Sequence, residues 1–333
     1  MASLTGYAGR LPRPAAGRLP GLPVRALAVG AAWLALAGAT YGLPEEGDFP
    51  STAAFAAGAL GLGLGLPPLV VLSGRLGRAG TALAQGTPWL ILLALAALAW
   101  ELITAKFALL PMPFFPPPQA ILEVFLDDGA RLGGSILASL KLLAGGYLIG
   151  AGLGFVLGVA IGWSKTVGYW AHPVLRFVGP LPATAWLPLA FFVFPSSWSA
   201  STFLIALATG FPVTVLTWSG VAGVNKAYFD VARTLGASST FLVLRVAIPA
   251  ALPHVFVGLF MGLGGSFAVL VVAEMLGVKS GLGWYLQWAQ GWAAYANLYA
   301  ALIVMALMCS GLISLLFRLR DRVLSWQKGL VQW

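Results

Sequence analysis

The chain has 333 residues, 59% of them apolar and 9% charged, with a formal charge of +9 and a mean hydropathy of +0.90. Soluble domains carry about 25% charged residues, so soluble folds are excluded and the bilayer is the solvent. The basic balance does not mark a nucleic-acid binder, because Lys and Arg fringe the apolar runs and form no stripe interleaved with stacking aromatics.

A spanning helix needs about 20 mostly apolar residues. Eight runs qualify, at about 24–43, 51–72, 88–110, 136–163, 174–194, 200–222, 249–277 and 295–319, which makes an all-α polytopic membrane protein. Residues 1–23 are rich in Pro, Arg and Gly without periodicity and read as a disordered tail. The first run holds Ala37-Gly38-Ala39 near its end, yet it is as long as a full span and a second span follows at once. It therefore reads as a span and not as a cleaved leader. An acidic turn from Pro44 to Pro50 joins the first two spans, and a Gly/Arg/Gln linker at about 73–87 closes them. Glu101 lies inside the third span, where an ionisable group is expensive, and nearby Lys106 is its expected partner.

Between the third and fourth spans, Pro111 to Pro118 forms a stiff stretch poor in donors. Gln119–Leu132 follows, with Ile121, Leu122, Phe125 and Leu126 on one face and Glu123, Asp127 and Asp128 on another. This pattern predicts one interfacial amphipathic helix. The fourth span repeats small residues at Gly146, Gly150, Gly154, Gly158 and Gly162. Such a ladder lets another helix backbone approach closely, within the chain or in a second copy. Pro180, Pro182 and Pro188 interrupt the fifth span. Broken backbone at membrane depth needs protein or a water-filled cavity around it, so this segment is expected to face a path through the protein and not lipid.

Glu274 ends the seventh span, with Lys279 close enough in sequence to relieve it. Glu274, Ser266, Thr214 and Thr184 are the candidate residues for the path or its gate. Trp284, Tyr285, Trp288 and Trp292 crowd the last loop and read as interfacial anchors. Cys309 is alone in an apolar run, and the two histidines lie far from any partner, so no metal site is expected. Gly277-Val278-Lys279-Ser280 lacks the spacing of a phosphate loop. No nucleophile and base are paired, so a hydrolytic enzyme would lack its parts.

With eight spans, fifteen Lys and Arg residues fall on one side, including Arg75, Lys165, Lys226, Arg233 and Arg320. Only Arg131, Lys141, Lys279 and Lys106 fall on the other. The positive-inside rule then places both termini and the 223–248 loop in the cytoplasm.

That loop is a polar island in an apolar chain. Asn225 to Ser238 carries Asp230, Ala232 and Gly236 at the spacing acidic-x-Ala-x3-Gly, and Val246-Ala247-Ile248-Pro249 follows. It resembles the cytoplasmic coupling loop of importer-type ABC permeases, with Asp230 where that family usually has Glu and Val231 where it usually has Ala. Val272 to Gly277, followed by Gly281-Leu282-Gly283-Trp284, also resembles these permeases, and among them the nitrate, sulfonate and taurine group. The resemblance runs from about Pro88 to the C-terminus, about three quarters of the chain.

The resemblance implies a six-helix type I importer domain over 88–333 (MetI-like), preceded by two additional helices within 24–87. It implies that Asp230, Ala232, Arg233, Leu235, Gly236 and Ala237 dock into a separate cytoplasmic ATPase subunit. Pro249 would restart a membrane helix behind them. ATP and magnesium would then belong to that subunit, with no cofactor in this chain. A periplasmic or lipid-anchored binding protein would deliver a small anionic solute of the nitrate, sulfonate, taurine or bicarbonate class to a homodimer in the bacterial inner membrane. An ion-coupled secondary transporter, or a permease for a thiamine-precursor pyrimidine, is the alternative. The two leading helices are expected at the lipid-facing periphery, dispensable for transport.

Overall fold

The computed structural model describes residues 22–327. The expected tail lies outside them, except that Leu22 and Pro23 already belong to the first helix. Among the described residues there is no strand. Seven helices are long and apolar enough to cross a membrane, and a bent pair makes up to eight spans. Leucines such as Leu27, Leu148 and Leu307 stand about 70% exposed on these helices, as they must where lipid replaces water as the solvent.

The chain separates into two compact units after Leu126. The first contains α1 (Leu22–Gly42), α2 (Thr52–Val71), α3 (Gly77–Glu101) and α4 (Pro118–Asp127), whose last residue passes the boundary. Val29, Trp33 and Leu36 of α1 pack with Leu66 and Val70 of α2 and Ala94 of α3. Glycines bring α1 and α2 together: a Cβ on Gly30 would stand 3.2 Å from the Gly63 carbonyl oxygen, and one on Gly63 2.9 Å from Leu34. The third span thus packs with the two leading helices, whereas the resemblance groups it with the helices that follow.

The expected 73–87 linker is a correction. A 3-10 turn covers Leu72–Arg75 and α3 begins at Gly77, whose φ of +58° turns the chain. Gln is a good helix former, each Gly costs about 1 kcal/mol relative to Ala, and burial of Ala84 and Thr87 offsets part of that cost. The amphipathic helix is a second correction. It stops at Asp127, and Asp128 leads into α5. Its buried residues are Gln119, Ile121 and Val124, while Leu126 is exposed.

The second unit is built on α5 (Gly129–Trp163), α8 (Ser197–Ala222) and α11 (Ile248–Leu276). The glycine ladder of α5 lies against α8: a Cβ would meet Ile205 from Gly146, Gly210 from Gly154, Thr217 from Gly158 and Val221 from Gly162, all within 2.7 Å. The smooth face is therefore filled from within the chain. Around this triad lie α6 (Lys165–Val178), α7 (Leu187–Val193), α9 (Lys226–Thr234), α10 (Ser239–Phe241), α12 (Leu282–Gly291) and α13 (Tyr295–Val323). The expected fifth span is the bent pair, α6 and the segment Ala183–Val193 meeting at 86°.

Candidate functional site

The loop after α8 is a self-contained capped helix. The Asn225 side chain accepts from the Ala227 N–H at 3.0 Å and opens α9. At the far end the Gly236 N–H donates to Arg233 O (2.9 Å) and the Ala237 N–H to Ala232 O (3.0 Å), the paired bonds of a Schellman cap. That cap needs a left-handed residue, and Gly236 sits at φ +82°. A Cβ there would meet nothing within 4 Å. Within the chain, Gly236 is required by conformation and not by crowding.

Phe229 anchors this helix inward. Its ring meets Trp163 edge-on at 5.9 Å and packs with Val159, Val221, Ala247 and Ala251. The opposite side is open: Tyr228, Val231 and Leu235, spaced i, i+3, i+7, are 61%, 61% and 83% exposed. Exposed large apolar residues in one stripe mark an interaction surface. Asp230 and Arg233 form a 3.6 Å pair at the surface, worth at most a few tenths of a kcal/mol. Ala232 and Ala237 are half-buried. Tyr228 escaped the motif comparison and Val231 entered it only as a departure from the family pattern, although their helical spacing with Leu235 was readable.

Beyond the loop the next span starts at Ser239, ahead of Pro249. Ser238 accepts from the Phe241 N–H at 3.3 Å, and a wide π-turn over Leu242–Ala247 leads into α11. Pro249 therefore continues a helix already begun, with the π-turn just before the residue that supplies no N–H.

The four candidate path residues are not gathered in one place. Thr184 lines a cavity of about 310 Å³ at the bend of the broken segment, with Pro182, Phe211 and Gly265. Thr214 lines a larger, apolar cavity of about 640 Å³ between α5, α6 and α8. Ser266 is buried and donates to Leu263 O at 3.0 Å. Glu274 borders neither cavity.

Glu274 instead organises the start of α12. Its Oε2 accepts from Ser139 Oγ (2.9 Å) and from the Gly283 N–H (2.8 Å), while Ser139 Oγ accepts from the Leu282 N–H (2.8 Å). One carboxylate and one hydroxyl thus satisfy donors that a helix N-terminus leaves without partners. Gly281 has φ +105°, and a Cβ there would collide with the Glu274 carboxylate. Lys279, the expected partner, is exposed and makes no ion pair among the described residues. Tyr285 is likewise no interfacial anchor: it is fully buried, donates to Asp128 Oδ2 (2.6 Å) and accepts from Asn297 Nδ2 (2.7 Å). Burial pushes its phenol up to about 12. Arg131 stacks 3.9 Å over Trp288 on the same helix.

Apolar spanning helices, a bent segment at a cavity and one capped helix with an open apolar stripe define a polytopic membrane protein. Comparison with known proteins specifies it further. The profile of the family described as binding-protein-dependent transport system inner membrane component matches residues 150–327. A probable ABC transporter permease protein of Brucella abortus (strain 2308) is 31% identical over 231 residues, 69% of this chain and 91% of the relative. A nitrate import permease protein of Synechococcus elongatus is 30% identical over 256 residues, covering 73% and 89% of the two chains. A putative aliphatic sulfonates transport permease protein of Bacillus subtilis is 31% identical over 242 residues, covering 72% and 87%. The chain belongs to this family and is an ABC importer permease, a multi-pass membrane transport subunit.

Proposed function

We propose that this permease forms the translocation path for a small anion of the nitrate or sulfonate class, delivered by a binding protein and driven by a separate ATPase. Two chains pair over two ATPase subunits in the bacterial inner membrane, with both termini and α9 on the cytoplasmic side. The carrying observation is α9 itself. It is capped at both ends, anchored by Phe229, and offers Tyr228, Val231 and Leu235 to solvent. An amphipathic helix of this kind inserts as a unit into a groove on a partner. Closure of the ATPase pair would move α9, and through Phe229 the ends of α5, α8 and α11, which meet there. The anion class is supported by the nitrate and sulfonate relatives, and the cytoplasmic side of α9 by the fifteen-to-four placement of basic residues.

The test is Leu235→Asp with the ATPase co-expressed. Leu235 is 83% exposed, so the variant should fold and insert normally. It should lose at least ~10-fold in ATPase capture on affinity purification, since a buried apolar anchor at an interface carries about 1.5–3 kcal/mol. Wild-type capture and uptake by Leu235→Asp and by Val231→Asp would refute docking through α9.

A further inference from the structure

Four residues of the first unit converge on one ammonium group. Lys106, in a π-turn that ends the third span, is only 6% exposed. Its Nζ donates to the carbonyl oxygens of Thr40 (2.7 Å) and Leu43 (3.0 Å) and to Glu45 Oε1 (3.0 Å). Those three bonds use all three of its hydrogens, and Glu101 Oε1 stands slightly farther away at 3.7 Å. Thr52 Oγ1 donates to both oxygens of Glu45. The Glu46 N–H donates to Ala105 O at 3.0 Å, which lays the α1–α2 loop along the end of the third span.

The network reaches α4 through one side chain. Gln119, in the first turn of α4 and fully buried, donates from Nε2 to Glu101 Oε1 (3.3 Å) and Glu45 Oε1 (3.4 Å). Ten residues are too few for a helix that is stable by itself, so α4 depends on its anchors: the buried Ile121 and Val124, the Trp100 Nε1 bond to Pro116 O (2.9 Å) just ahead of it, and Gln119 as its tie to the charged network. We propose that the α1–α2 hairpin is a positioning module for α4, acting through Glu45, Lys106 and Gln119. Both acceptors of Gln119 are carboxylates that Lys106 makes tolerable at this depth, and the hairpin supplies three of the four oxygens around Lys106. Loss of the hairpin would leave Lys106 facing Glu101 alone. The two leading helices are therefore integral to the unit, in contrast to the dispensable periphery expected from sequence. On the orientation proposed above, α4 lies at the outer face, but its positioning does not depend on that reading.

Amide hydrogen exchange of the full chain in lipid nanodiscs tests this. Gln119→Leu removes the tie without stranding a charge, and Glu45→Gln weakens its other end. Each should speed exchange over residues 118–127 by about tenfold, because a hydrogen bond to a charged group is lost. The α9 loop at 223–238 should be unchanged. Glu46→Gln, at an exposed acid whose backbone alone takes part, should change neither region. Wild-type protection of 118–127 in both variants would overturn the proposal, and so would acceleration throughout the chain or an equal effect from Glu46→Gln. None of these readouts involves the ATPase or the solute, so failure here leaves the transport reading standing, and the reverse.

Discussion

Glu101 and Glu274 are both buried carboxylates in membrane-spanning helices, 0% and 1% exposed, and the two compact units accommodate them differently. Glu101 is answered by formal charge, the Lys106 ammonium at 3.7 Å, with Gln119 as a neutral donor. Among the described residues Glu274 has no counter-charge. It is answered by a serine hydroxyl and a backbone N–H at the start of α12, where the helix dipole favours an anion. Each keeps one oxygen without a hydrogen-bond partner. The ammonium gathers distant loops around itself, whereas oriented donors lock one helix start in a single geometry. A buried carboxylate in this protein is thus first a local organiser, and only then a candidate for the path.

Removing the counter-charge should have the largest effect. Lys106→Met leaves Glu45 and Glu101 together without a cation, and breaking a buried pair in this way costs about 3–5 kcal/mol. Thermal unfolding in detergent should show it, and Lys106→Met combined with Glu45→Gln should recover part of the loss. If the double variant is no better than the single, charge is not what holds this network.

Glu274→Gln should cost less, about 1.5–3 kcal/mol, the range for hydrogen bonds to a charged group. The amide keeps an acceptor for Gly283 but gives up the ionic strength of the bonds. An effect larger than that of Lys106→Met would reverse the comparison and make the α12 clamp the more critical of the two. Gly281→Ala attacks the same clamp from the backbone side. Backbone strain at its φ of +105° and ψ of 173°, a region open essentially to glycine alone, is worth about 1–3 kcal/mol, and collision with the carboxylate adds to it. Unchanged stability in Gly281→Ala would show that α12 can shift away from Glu274.

The exposed loop should give the smallest effect on stability. Leu235→Asp should stay within about 0.5 kcal/mol of wild type, as surface substitutions do, while abolishing ATPase capture. Gly236→Trp is a poorer probe of docking, because it also breaks the left-handed cap that ends α9.

Much of the architecture was legible because its causes are local. Apolar run length determines which segments can span a bilayer, and proline removes donors wherever it stands, so the spans and the break near Pro180 and Pro182 could be read directly. The α9 loop was visible as a polar island, and its cap follows from Asn225 and Gly236 at the right offsets. Helix limits were less legible: α3 starts at Gly77 and α5 at Gly129 because packing on neighbouring helices overrides the weak propensities of Gly and Thr. What only tertiary structure decided is who meets whom. Glu45 and Lys106 are 61 positions apart, and Ser139 and Glu274 are 135 apart. The glycine ladder announced a close neighbour, but sequence could not say whether that neighbour was α8 or a second chain. Periodicity records which face of a helix wants a partner, and the identity of the partner depends on how loops and crossings bring distant segments together.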